Sequence, residues 1–455
     1  MKGISIMQLK RNTAIAAACV AGTFAVAAYA QAQPAAAPAP APAPAPAAPP
    51  STAINLPYGI TISGHAEVGF TLNADDPANN INFGQLFTDQ ADSIRVNQTM
   101  LNIERDLDPK NADWQWGFKF TGMFGSDSRI THFYGELDRV THGTYQWDVV
   151  EADGQMHVPW IGGGTDVKLG QYPTPLGAEV IDATGNTFYT HSYIFNYGLP
   201  FKHTGVLSTT HVTDMIDIWA GLDTGSNNSI GQKGMVNNWF PKFLGGFGIN
   251  GLLGGNLTIL GLAHLGPEQP RFIEFNGGGQ AAIPNANKDF RQFYDIVTTY
   301  KINDNWTSTL ELNYARDDLA HATAEGAAGY VSWAVTDLWT VSLRGEVYRD
   351  DQGFFVFDPT SGLDAVNAAR GLAPNTIYGV GKHTYGELTL GASFKPSGDM
   401  GYMTVRPEIR YDNAWGGPFK AFGAGNKFAC AQAAASCLGT QNDQFTFSMD
   451  VIFGF

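Results

Sequence analysis

From Ile54 onward, apolar residues recur at every second position, not at every third or fourth. The last segment is the clearest. Phe445, Phe447, Met449, Val451, Phe453 and Phe455 alternate with Gln444, Thr446, Ser448, Asp450 and Gly454, and only Ile452 breaks the rule. Near the start, Ile60, Ile62, Ala66, Val68, Phe70 and Leu72 alternate with Thr61, Ser63, His65, Glu67 and Thr71. Such alternation makes a strand with one apolar and one polar face. Sixteen segments follow this pattern. They begin near Ile60, Ser93, Asp113, Tyr145, Thr165, His203, Met215, Leu244, Asn256, Asp289, Asn305, Ala327, Leu338, Thr384, Gly401 and Asp443. The segments at Leu244 and Asn256 are Gly-rich, with apolar residues in both phases. Pro407 inside a strand predicts a bulge or a weak edge.

The connections between these segments alternate in length. Residues 107–112, 213–214, 303–304, 336–337 and 396–399 are short. Residues 73–92, 173–202, 266–288, 351–383 and 413–442 are long. An even strand count with alternating short and long connections predicts an all-β fold: a transmembrane antiparallel barrel of about 16 strands, with short periplasmic turns and long extracellular loops. In lipid every backbone N–H and C=O needs a partner, and a closed barrel provides one for each. A soluble sandwich would bury the apolar faces against each other. Against that, the polar phase carries many charges, and aromatic residues crowd strand ends (Trp114, Trp306, Trp339, Tyr402, Phe455). That placement fits aromatic girdles at a membrane interface.

Composition sharpens the picture. Charged residues make up 15% of the 455-residue chain, where about 25% is usual. The net charge of -15 disfavours nucleic-acid binding. Lys2, Lys10 and Arg11, the apolar residues 13–27 and Ala28-Tyr29-Ala30 predict a signal peptide over 1–30, cleaved after Ala30 or Ala32. Loss of those three cations would take the charge to -18. Residues 31–53 are expected to form an Ala/Pro-rich periplasmic linker, and 54–455 the barrel. The Ala-Pro tract over 34–50 cannot build a core and would extend about 50 Å. Cys19 leaves with the signal. Cys430 and Cys437 then predict one disulfide in the last external loop.

Residues 170–214 read GQYPTPLGAEVIDATGNTFYTHSYIFNYGLPFKHTGVLSTTHVTD. This stretch resembles the putative β-barrel porin-2 (OmpL-like) family, through Gly170-Gln171-Tyr172, Pro175, Gly177, Glu179 and Asp182. The likeness continues through His191-Ser192-Tyr193, Phe195-Asn196-Tyr197-Gly198, Pro200 and His203-Thr204-Gly205. The resemblance implies an outer-membrane barrel with channel activity and no catalytic residues. The terminal Phe455 is similar to the signal read by the barrel assembly machinery. Other expected partners are outer-membrane lipid and lipopolysaccharide, small solutes and, by analogy with general porins, two further copies in a homotrimer.

Candidate chemistry elsewhere is sparse. His191, His203, Glu179 and Asp182 share one long loop, but their spacing matches no metal-ligand motif. His132 and His142 lack a nucleophile motif, so no enzyme is expected. No metal, cofactor or catalytic residue is assigned. Loop 173–202 is long and aromatic, and is expected to fold inward and constrict the pore. The polar strand phase carries Glu67, Glu151, Asp153, Asp166, Asp217, Asp295, Glu311, Glu346, Glu387, Glu408 and Asp450. Against these stand Lys119, Lys168, Arg291, Lys301, Arg344, Lys395, Arg406 and Arg410. Lys119, Glu311, Arg344, Glu346, Arg406, Glu408 and Arg410 are the expected pore-lining set. The sixteen segments and their turn–loop asymmetry predict a porin for passive diffusion of small hydrophilic solutes and ions, and the acid excess predicts that it is weakly cation-preferring. The alternative is a non-conducting structural or anchoring barrel.

Overall fold

A computed structural model describes residues 53–455 apart from 79, 109–112, 134–135, 138–142, 230–239, 270–271, 276–278, 360–376, 379, 397–401 and 424–438. The expected signal peptide, almost all of the linker, Cys430, Cys437 and His142 lie outside the described residues.

Sixteen strands form one closed antiparallel barrel: β1 (Ile60–Asn73), β2 (Ser93–Arg105), β3 (Gln115–Gly125), β4 (Gln146–Val158), β5 (Thr165–Pro173), β6 (Lys202–His211), β7 (Ile216–Asp223) and β8 (Lys242–Gly251). They continue as β9 (Leu257–Gly266), β10 (Arg291–Lys301), β11 (Trp306–Asp317), β12 (Ala322–Ala334), β13 (Trp339–Asp350), β14 (His383–Phe394), β15 (Tyr402–Trp415) and β16 (Asp443–Gly454). Each strand pairs with its neighbours in sequence, and β1 closes the ring on β16, with Val68 opposite Val451. A short strand, Ile54–Leu56, folds back along the start of β1. Closure leaves no free edge in the ring.

The two phases face as the alternation predicts. Leu388 and Leu390 of β14 point out, while the alternate residues Glu387 and Thr389 are buried inside. In β16, Phe445, Phe447 and Phe453 are exposed, and Gln444, Thr446, Ser448 and Asp450 are buried. Ile452 joins the inward set. Aromatic pairs sit at the end of the barrel where β1 begins and β16 ends. Trp306 stacks on Trp333 at 5.3 Å, and Trp339 packs on Phe394 at 4.6 Å.

Three departures from the sequence reading have local causes. Strand β12 begins at Ala322, not near Ala327, because residues 318–321 make a tight turn where the other connections at that end of the barrel are long. At Pro407 the β14–β15 pairing skips from Gly391–Glu408 to Phe394–Val405, while the β16 side stays paired. Proline has no N–H for the ladder. Lys395 lies just past β14 and is exposed, so it does not belong to the inward set.

Candidate functional site: the loop inside the barrel

Residues 174–201 join β5 to β6, yet their partners lie on β1, β2, β10, β11, β13 and β15. Only a path through the interior reaches that wall. The loop's neck is closed by Thr174 N–H donating to Phe201 C=O at 2.9 Å. Within the loop there is a single 3-10 turn, Ala183–Gly185, capped by Asp182, and one π turn, Ile194–Gly198. So little regular structure leaves most buried backbone groups without a local partner, and each such group is costly to bury unpaired.

Wall side chains supply the partners. Glu346 of β13 accepts the N–H groups of Tyr193 at 2.6 Å and Ile194 at 2.8 Å. Glu408 of β15 accepts those of Tyr189 at 2.9 Å and Thr190 at 3.0 Å, and also the Thr190 hydroxyl. Glu311 and Asp295 accept from Ala178 and Gly177. Arginines hold the carbonyls. Arg406 donates to Ala183 and Asn186, each at 2.8 Å. Arg410 donates to His191 at 2.6 Å, and Arg344 to Thr190 at 2.7 Å. These arginines are themselves paired: Arg406 with Asp450 and Glu67, Arg410 with Asp412, Arg344 with Glu387 and Glu179. Paired ions cost less to bury than lone ones.

Apolar packing completes the seat. Tyr193 stacks on Tyr385 at 5.0 Å, and Phe87 from the β1–β2 loop touches the rings of His191, Phe195 and Phe201. That second loop is tied down by Arg129, which grips Asp89 at 2.7 and 2.8 Å. Two wall glycines make room for loop side chains. A Cβ on Gly69 would lie 2.4 Å from the Tyr189 ring, and one on Gly326 2.6 Å from Ile194. Burial pushes the His191 imidazole down to about 4, so it stays neutral among the aromatic rings. Burial would raise the Glu179 carboxyl, but Arg344 beside it at 2.7 Å holds it below its ordinary value.

The expected pore-lining residues therefore fall into two groups. Glu311, Arg344, Glu346, Arg406, Glu408 and Arg410 face inward beneath the loop and are buried. Lys119 stands apart, 3.3 Å from Glu104 and 3.6 Å from Glu151. Its side chain, with those of Lys168, Asp182, Asp166 and His211, is 31–37% exposed, and these form a strip of partly hydrated charge along β3–β6 and the loop's edge. Counting charged side chains overlooked Gln98, which clamps Ile181 C=O and Ala183 N–H, and Asn313, which holds Gly198 C=O. Both lie in the polar phase of their strands, a signal that was present but uncharged. Asp412, two residues beyond Arg410 in the same phase, was missed as well. The four loop residues weighed for metal binding separate. Glu179 lies near His191, Asp182 sits 3.8 Å from His65, and His203 belongs to a different cluster. His132 is buried in the short turn Ser128–Thr131 and its cap.

The enclosed ionisable side chains are strongly one-sided. Among the described residues, eighteen buried Asp and Glu side chains accompany six buried Lys and Arg.

A family model for putative beta-barrel porin-2, OmpL-like proteins matches residues 59–455. No curated protein sequence matches the chain. Among solved structures, the chain is similar to an anion-selective porin from Comamonas acidovorans, at 11% identity and a TM-score of 0.53, covering 87% of this chain and 99% of that one. It is also similar to the outer membrane channel DcaP of Acinetobacter baumannii, at 10% identity and a TM-score of 0.52, covering 88% and 99%. At these identities the two structures speak to the fold alone, a closed sixteen-strand barrel, and the family model, spanning the whole barrel, makes the chain a member of the beta-barrel porin-2, OmpL-like family and an outer-membrane porin channel.

Proposed function

We propose that the channel passes small hydrophilic solutes and ions by passive diffusion, through the water-facing side of a lumen that loop 174–201 narrows. A sixteen-strand barrel is wide enough for an aqueous channel. The loop takes up the side of that width running from β10 round through β16 to β1 and β2. The remaining path runs along the partly hydrated strip of Lys119, Lys168, Asp166 and Asp182. The charges of this strip pair with neighbours on the wall, Lys119 with Glu104 and Glu151, Lys168 with Glu151 and Asp166 with His211, an arrangement that favours diffusion over tight binding of one solute.

We further propose a weak preference for cations. The observation that supports it is the excess of eighteen buried carboxylates over six buried basic side chains. Charge close to a pore sets ion preference. Many of these groups are paired, and salt screens the remainder over about 8–10 Å, so the preference fades as salt rises. The Comamonas acidovorans porin is described as anion-selective. The charge balance of this chain favours the opposite sign. Reversal potentials of the purified barrel in a KCl gradient test this reading. Cation selectivity at low salt that declines at high salt supports it, and anion selectivity at low salt overturns it.

A further inference from the structure

The outer end of the wall holds a second cluster that the channel reading does not use. His203 at the start of β6, Asp223 at the end of β7 and His264 near the end of β9 are all buried. Their ligand-capable atoms all lie within 4.8 Å of one another. Asp223 Oδ2 is the hub, 3.1 Å from His203 Nδ1 and 3.1 Å from His264 Nε2. Ligands about 2.0 Å from a tetrahedral zinc stand roughly 3.3 Å apart; both imidazole–carboxylate separations match this, and the third edge, within 4.8 Å, would have to close by at most about 1.5 Å.

The outer partners are also of the kind metal sites use. His203 Nε2 meets Thr174 Oγ1 at 3.0 Å. His264 Nδ1 faces Ser226 Oγ at 3.5 Å and Glu268 Oε1 at 3.9 Å. A ligating imidazole holds its second nitrogen by such a contact, which fixes the ring and the tautomer. With those outer nitrogens protonated, both imidazoles turn lone pairs toward a carboxylate. A simple ion pair explains His264, whose Nε2 is 3.1 Å from Asp223 Oδ1. It does not explain His203. Neither His203 Nδ1 nor Asp223 Oδ2 has an aligned hydrogen bond, although they are 3.1 Å apart. Lys242 of β8 is the nearby cation, and its ammonium donates to Thr224 C=O at 3.0 Å.

We infer that His203, Asp223 and His264 form a site for a first-row divalent transition metal, with zinc the best-matched ion and water as the fourth ligand. Two imidazoles and one carboxylate suit zinc, and disfavour calcium and magnesium, which take oxygen ligands. The metal would join β6, β7 and β9 beside Thr174, the first residue of the inner loop, and so stiffen the wall at the loop's neck. The inference does not depend on whether the barrel conducts.

The test uses the full chain, refolded in detergent with ZnCl2 and dialysed against metal-free buffer, with folding checked by heat-modifiable mobility. Elemental analysis is expected to find about one zinc per folded chain, with stripping by a chelator lowering the Tm. His203→Gln combined with His264→Gln is expected to lose the stoichiometric zinc and the chelator-dependent shift. Thr174→Val should weaken binding on the order of tenfold. His157→Gln with His211→Gln, which removes two histidines at the opposite end of the wall, should leave zinc content unchanged. Should the first double variant fail to fold, Co2+ in the wild-type chain decides, through the visible absorption of a four-coordinate ion. Folded wild-type protein without stoichiometric zinc or that absorption overturns the inference, as does zinc retained by the His203/His264 variant or lost from the His157/His211 variant.

Discussion

Replacing Glu346 by alanine should unseat the inner loop while leaving the barrel standing. The carboxylate accepts two adjacent loop N–H groups, from Tyr193 at 2.6 Å and Ile194 at 2.8 Å. Each buried donor left without its acceptor costs roughly 1–3 kcal/mol. Loss of the acceptor for both therefore weakens the seat by about 2–6 kcal/mol. At about 1.4 kcal/mol per tenfold, the seated loop loses on the order of tens of fold or more of its advantage. The remaining clamps at Glu408, Arg406 and Arg410 oppose full release, so partial opening is expected. The outward neighbour Val347 and the β12 and β14 ladders stay in place, so heat-modifiable mobility should be unchanged. Single-channel recording should show larger or noisier conductance for Glu346→Ala, and a smaller effect for Glu346→Gln, which keeps one accepting oxygen. A folded Glu346→Ala barrel with wild-type conductance and noise would refute the clamp reasoning.

Acid should loosen the same loop. His191 is held near 4 in the folded chain against about 6.5 when exposed, so the unfolded or unseated form binds the extra proton between these values. Stability is full above pH 6.5 and is lost as pH falls toward 4, by about 2–4 kcal/mol; protease cleavage within 174–201 should rise across that window, and His191→Gln should flatten the rise. Cys430 and Cys437 should give no free thiol in protein isolated without reductant, whereas two reactive thiols would refute the disulfide. Removing Phe455, whose N–H donates to Gly64 C=O at 2.9 Å, should lower the amount of barrel inserted in cells, as measured by heat-modifiable protein in the outer-membrane fraction.

The strands were legible because a barrel in lipid imposes one rule on every residue of its wall. Period-two alternation placed fifteen of the sixteen strand starts within two residues of the structure. The exception, β12, opens with Ala322, Thr323 and Ala324, too small to mark an apolar phase. The inward course of loop 174–201 was legible from its length and its tyrosines and phenylalanines. Its fastening was not. Glu346 and Glu408 meet loop residues more than 150 positions away, and only closure of the ring brings them together. A polar-phase glutamate looks the same in sequence whether it faces water or caps a backbone. For the same reason Asp223 and His264 drew no notice, since their partnership with His203 depends on wall curvature across four strands.

Single-channel recording of the wild-type barrel, beside a variant lacking residues 186–196, tests most directly whether this chain is a channel narrowed by its own loop. The deletion removes the residues that Glu408, Glu346 and Arg410 hold, and leaves all sixteen strands intact. The wild type is expected to conduct in discrete steps at low voltage, and the deletion in distinctly larger ones. Folded wild-type protein that never conducts would contradict the channel, and equal step sizes in the two proteins would contradict the narrowing loop.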